Sequence, residues 1–104
     1  MATSAIIKIE GLNFAQVYKH YDGYPENTLP WLEEFNAEFA RNRGSDPEYK
    51  LAQLLRSSKR LEDKFNLDPN NFRGWGVVSP REEWGEIFRY TLHKDGSVSY
   101  RKAF

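Results

Sequence analysis

The chain contains no cysteine in its 104 residues. That absence excludes disulfides, thiolate zinc sites and cysteine nucleophiles, and it points to a cytoplasmic setting. Net charge is also missing, because 15 Lys and Arg balance 15 Asp and Glu. Without it there is no broad attraction to nucleic acid backbones or anionic membranes, and neither is expected as a partner. No apolar run approaches the roughly 18 to 20 residues that span a bilayer, and Met1-Ala2-Thr3-Ser4-Ala5-Ile6-Ile7 lacks the basic start and long apolar stretch of a secretory signal.

Chemistry-bearing motifs are equally scarce. Only His20 and His93 could offer imidazole to a metal, and neither sits in an H-x-x-x-H pair or beside a carboxylate cluster, so no metal and no cofactor is expected. There is no G-x-S-x-G, Walker-type loop or dinucleotide fingerprint; Gly74-Trp75-Gly76 is too short and has no helix after it. No repeat, linker or low-complexity segment divides the chain, and its length suits one domain, residues 1–104.

Aromatic residues are what the chain has in quantity: three Trp, six Tyr and seven Phe, 15% of the total. A large ring buries about 150 to 250 Å², so most Phe and Trp are expected in the core.

Periodicity divides the chain into elements. Ile6 to Glu10 and Phe14 to Tyr21 are β-branched and aromatic, with Gly11-Leu12-Asn13 as a tight connection, which predicts a hairpin. Alternation places Tyr18 and His20 on one side of the second strand. Leu32, Phe35 and Phe39 then recur at helical spacing, predicting a helix over Thr28 to Arg43 with Asn27 or Thr28 as cap, Pro30 in the first turn and Gly44 past the end. Ser45-Asp46-Pro47-Glu48 has the form of a capping box, so a second helix should run to Phe65, its apolar stripe carried by Leu51, Leu54, Leu55 and Leu61. Asn66 to Asn71 reads as a turn, Gly74 to Ser79 as a short strand, and Pro80 to Trp84 as a connection. Glu86 to Lys94 and Ser97 to Phe104 form a second hairpin around Asp95-Gly96. A type I′ turn at that pair would set His93 against Val98 and Thr91 against Tyr100, leaving Phe88, Tyr90 and Leu92 on one face and Ile87, Val98 and Tyr100 on the other.

The expected fold is α+β: a mainly antiparallel sheet of about five strands, in the order β-β-α-α-β-β-β, with a two-helix hairpin packed on one face. A sheet with two apolar faces would leave one for a partner or for a homodimer.

Polar chemistry concentrates only in Tyr18-Lys19-His20-Tyr21-Asp22-Gly23-Tyr24-Pro25. His20 and Asp22 could serve as a base and its orienting carboxylate, with a tyrosine as acid. Turn chemistry competes with that account, since Asp commonly bonds its own backbone and a residue before Pro is extended. Arg56, Lys59 and Arg60 on the second helix are read as a solvated face, because Glu62 and Asp63 follow them.

The segment Tyr18 to Pro25, followed by Leu29-Pro30-Trp31-Leu32-Glu33-Glu34-Phe35, resembles a group of small bacterial and phage proteins that share Tyr-x-His-aromatic-Asp-Gly-Tyr-Pro ahead of a helix. The similarity extends through Leu51 to Leu55 and the Tyr90 to Gly96 hairpin. The resemblance brings no established activity; it implies a mobile-element context, in which small proteins act by binding a host component. The expected function is therefore non-enzymatic binding of a protein partner, with Tyr18, His20, Asp22, Tyr24 and Trp31 as binding residues and no catalytic residue. The alternative is a small-ligand or nucleotide binder, or an acid–base enzyme, built on the His20/Asp22/Tyr24 turn.

Overall fold

The structure is a computed structural model that describes residues 3–64, 75–80 and 85–103, with the side chains of 59–64 outside the description. Its elements are β1 (Ala5–Ile9), β2 (Gln16–Lys19), α1 (Pro25–Arg43), α2 (Pro47–Lys64), β3 (Trp75–Val78), β4 (Phe88–Leu92) and β5 (Val98–Lys102). The α+β class and the element order are those the sequence predicts. The expected turn at Asn66 to Asn71, the residues Phe65, Gly74, Trp84 and Phe104, and the side chain of Leu61 lie outside the described residues.

The strands form a mixed sheet in the order β3-β2-β1-β4-β5. Three of its pairings are antiparallel and one, β1 with β4, is parallel. Central β1 is the most apolar strand, and Ala5, Ile7 and Ile9 face the helices, where they meet Val17, Tyr90 and Leu92 from the neighbouring strands and Leu32 and Leu54 from α1 and α2. Burying each such side chain contributes about 1.5–3 kcal/mol. The connection between β1 and β2 is longer than a tight turn, because Leu12 folds back into the core, 1% exposed.

α1 begins three residues before the expected start. Extended Tyr24 is its N-cap and Pro25 its first residue, where a missing N–H costs nothing. Thr28 is not the cap. It lies buried one turn inside, and its hydroxyl donates to the Asp22 carbonyl at 2.7 Å. Pro30 is correspondingly inside the helix and exposed. Gly44, at φ 68°, ends the helix by donating to the Ala40 carbonyl. α2 starts at Pro47, its first bond running from the Lys50 amide to the Asp46 carbonyl, so Asp46 and not Ser45 holds the cap position. The buried face of α1 also carries a polar residue, Asn36, whose Nδ2 donates to the His93 carbonyl at 3.0 Å and the Ser97 carbonyl at 2.8 Å.

The β4–β5 register corrects the type I′ expectation by one residue. Leu92 opposes Val98 and Tyr90 opposes Tyr100. Only Gly96, at φ 96°, is left-handed in this turn, and Asp95 is not, so the two-residue turn cannot form. Lys94, Asp95 and Gly96 make a longer loop closed by Gly96 N–H to the His93 carbonyl and His93 N–H to the Ser97 carbonyl. Such a loop, a type I turn followed by a left-handed glycine, is the other common home of Asp-Gly. The slip moves Val98 and Tyr100 to the helix side with Tyr90. Arg89, Thr91, Ser99 and Arg101 are left on the outer side, so β4 and β5 do not supply the second aromatic face that the predicted register created.

Candidate functional site

Period-two alternation in β2 sends Val17 and Lys19 toward the helices and Gln16 and Tyr18 to the opposite side of the sheet. Tyr18 lies between Ile6 on β1 and Gly76 on β3, and among the described residues nothing stands within 4 Å of where a Cβ on Gly76 would lie. Just past the strand end, His20 shares a 3.0 Å hydrogen bond between its Nδ1 and the Tyr18 hydroxyl. The His20 ring meets Tyr21 edge-on with centroids 4.5 Å apart. Tyr18, His20 and Tyr21 are all half-buried and make one aromatic cluster on the outer side. Lys19 points the other way, donating its Nζ to the Tyr21 carbonyl and lying 5.1 Å from the Trp75 ring centre.

The next residues hold the chain in place. Asp22 adopts φ 55°, a left-handed conformation that Asp and Asn tolerate better than most residues. Its carbonyl accepts from Thr28, and Gly23 is clasped from two directions: its N–H donates to the Thr3 carbonyl at 2.8 Å and its carbonyl accepts from the buried Tyr90 hydroxyl at 2.6 Å. Burial pushes the Tyr90 phenol well above the ordinary tyrosine range, with the Thr28 side chain opposing that shift, so the hydroxyl remains a donor. The Tyr24 carbonyl accepts from the Asn27 and Thr28 amides while its exposed ring lies 6.5 Å from Phe88.

The five expected binding residues therefore do not converge. Tyr18 and His20 meet on the outer side. Tyr24 caps α1 on the helix side, and Trp31 is drawn into the helix packing, donating Nε1 to Ser57 Oγ at 3.1 Å and meeting Trp75 edge-on at 5.5 Å. Asp22 stands between the two groups, and no ion pair joins it to His20. The geometry that acid–base chemistry would need from His20 and Asp22 is not formed.

One polar constellation was not apparent in the sequence. His93 Nε2 lies 2.7 Å from Ser99 Oγ, and His93 Nδ1 lies 3.8 Å from Glu10 Oε1. The order of groups is that of a hydrolytic triad, but 3.8 Å is too long for the carboxylate to orient the imidazole, and Glu10 Oε1 is already engaged by the Lys94 amide at 2.8 Å. The side chains of His93 and Glu10 are 36% and 46% exposed, so their attraction is screened. This cluster fastens the β1–β2 connection to the β4–β5 turn.

Two further charged features are largely withdrawn from solvent. Lys50 is 2% exposed, its Nζ 5.2 Å from the Phe39 ring centre, and desolvation lowers its pKa against the pull of Glu10. Glu86 and Arg89 form a 2.8 Å ion pair whose side chains are only 4% and 13% exposed. Among the described residues no group of three or more His, Asp or Glu side chains is placed to hold a metal, and no helix is long and apolar enough to cross a membrane. No family model, curated protein or solved structure matches the chain.

Proposed function

We propose that this chain is a cytoplasmic, non-enzymatic binding protein that engages a protein partner through Tyr18, His20 and Tyr21, with the exposed Tyr24 ring on the far side of the turn as a further contact. The resemblance of the segment to small bacterial and phage proteins extends the proposal to a component of a bacterial host as the partner. The observation that supports it is the aromatic cluster on the outer side of β2, half-buried and held on a strand. Its neighbours in sequence have structural employment: Asp22, Gly23 and Pro25 shape the turn and start the helix, and the Trp31 indole bonds to Ser57. Tyrosine rings with a polar tip are common anchors of protein interfaces because they exclude water and still find hydrogen bonds. No described contact favours the acid–base alternative.

The test is affinity capture with quantitative mass spectrometry, comparing wild type with His20→Ala/Tyr24→Ala. His20 bonds to Tyr18, two residues before it, and the Tyr24 ring meets Phe88 while staying exposed, so thermal unfolding should change little while the specific partner is lost. Asp22→Ala is unsuitable, because alanine at φ 55° would strain the turn and confuse unfolding with loss of contact. Equal recovery of every partner by both forms would remove the cluster from the interface.

A further inference from the structure

β5 closes one end of the sheet, and the hydrogen bonds of its inner edge determine what the outer edge offers. His93 N–H donates to the Ser97 carbonyl at 2.9 Å, and Ala103 N–H to the Ile87 carbonyl at 2.8 Å. These two positions mark where β4 and β5 exchange bonds, and the two-residue period places Ser99 and Arg101 at equivalent positions between them. The N–H and C=O groups of Val98, Tyr100 and Lys102 therefore point away from β4, and no strand among the described residues lies on that side. Tyr100 stacks on Tyr90 with centroids 5.7 Å apart and still remains 48% exposed. Arg101 and Lys102 are exposed, project to opposite faces, and have no ion-pair partner among the described residues. Arg89, directly across from Arg101, is by contrast matched by Glu86. β5 itself carries no acid.

We propose that the free edge of β5 docks an extended acidic segment of a partner protein, which adds to the sheet as a further strand through the outward backbone groups of Val98, Tyr100 and Lys102. Strand addition draws its affinity from main-chain hydrogen bonds and its selectivity from the side chains alongside. Here the side chains alongside are cations on both faces, so acids at neighbouring positions of the incoming strand form favourable cross-strand pairs. A second copy of this chain is the less suitable occupant. It would bring another Arg101 and Lys102 into one two-stranded ribbon with no acid to offset them, which is how edge strands reject self-pairing. The site is independent of Tyr18 and His20, since β1 and β4 lie between β2 and β5.

The experiment uses the full-length, isotopically labelled protein and two capped peptides of equal length, one repeating Glu-Glu-Val-Val, which presents acids on both faces of an extended strand, and the other repeating Lys-Lys-Val-Val. Titration of the Glu/Val peptide should slow amide hydrogen exchange at Val98, Tyr100 and Lys102, while Ser99 and Arg101, already bonded to β4, change little. The Lys/Val peptide should leave all five unchanged. R101E/K102E should bind the Glu/Val peptide about tenfold more weakly, the effect of reversing two cross-strand charge pairs. Tyr100→Pro removes one outward donor at an edge position that tolerates proline and should abolish binding, whereas Tyr100→Ala loses the same ring, keeps the N–H and should still bind. No new protection at these amides up to the solubility limit of the Glu/Val peptide would overturn the proposal. Equal binding of both peptides would overturn its acidic specificity, and protection of the three amides that rises with protein concentration alone would assign the edge to a second copy.

Discussion

Gly23→Ala separates a packing joint from a reactive turn. A Cβ at this position would lie 2.9 Å from the Ala5 Cβ, 2.9 Å from the Thr3 carbonyl oxygen and 3.0 Å from the Ser4 carbonyl carbon. These atoms belong to β1 and the residues leading into it, and none is the end of a flexible side chain, so the turn itself must move. Overpacking of this kind costs about 1–3 kcal/mol. Movement also stretches the Tyr90–Gly23 bond, 2.6 Å long and buried, which adds about 1 kcal/mol. Alanine restricts the unfolded chain and returns about 0.4–1 kcal/mol. The expected net loss is about 2 kcal/mol, or a fall in Tm of roughly 10 °C for a domain of this size. Urea unfolding should show a lower midpoint at unchanged m-value. In a double-mutant cycle with Tyr90→Phe, the second substitution should cost about 1 kcal/mol less in the Gly23→Ala background, because the displaced carbonyl has less of that bond to lose. A Gly23→Ala protein within about 0.5 kcal/mol of wild type, or additivity of the two substitutions, would show that Gly23 is not a packing joint between the turn and β1.

Two further predictions follow from the same core. Asn36→Ala removes two hydrogen bonds to the β4–β5 turn, but both acceptor carbonyls keep a second donor and the partnerless Oδ1 disappears as well, so the loss should be about 1–2 kcal/mol. Amide exchange should quicken at His93, Gly96 and Ser97, and an unchanged turn would show that Asn36 does not hold it. Tyr90 supplies a pH signature: its folded pKa is raised, so its contribution is complete below the unfolded tyrosine value of about 10 and is lost as pH rises through that value toward the folded one, at up to about 1.4 kcal/mol per pH unit. Tyr90→Phe lacks this limb, so its stability deficit against wild type should shrink between about pH 9 and 11. A deficit that stays constant across that range would contradict the buried phenol.

Most of the fold is local enough to be written in the sequence. Alternation in β1 and β2, the apolar spacing of Leu32, Phe35 and Phe39, and Gly44 after the last turn all match the elements observed. The errors arise where one local pattern has two structural meanings. Thr28 has a hydroxyl suited to capping, but it also suits a bond back to the Asp22 carbonyl from inside the helix, and Pro25 starts α1 early enough to make the second use the real one. Asp95-Gly96 suits either a two-residue type I′ turn or the longer loop with a left-handed glycine. Contacts far away in sequence decide between them: Asn36 holds both turn carbonyls, and Gly96 sits so close to α1 that a Cβ would come within 3.2 Å of Ala40. A one-residue difference then decides which side chains share a face, and it is what brings His93 and Ser99 together.

The candidate site was legible in the same uneven way. Period-two spacing places Tyr18 and His20 together, and the structure joins them by a hydrogen bond. The spacing could not reveal that Asp22 lies outside their reach, because its left-handed backbone breaks the alternation on which such an argument depends. The outcome is a segment with two kinds of work in it. From Asp22 to Pro25 the residues are fixed by the core, above all by the Tyr90 hydroxyl on the Gly23 carbonyl, and Lys19 fixes the Tyr21 carbonyl from the helix side. The rings of Tyr18, His20 and Tyr21 are consequently held by backbone that the core has already ordered. An interface built on them would have little ordering entropy left to overcome, which is the advantage a small protein with three preset rings has over a flexible loop of the same composition.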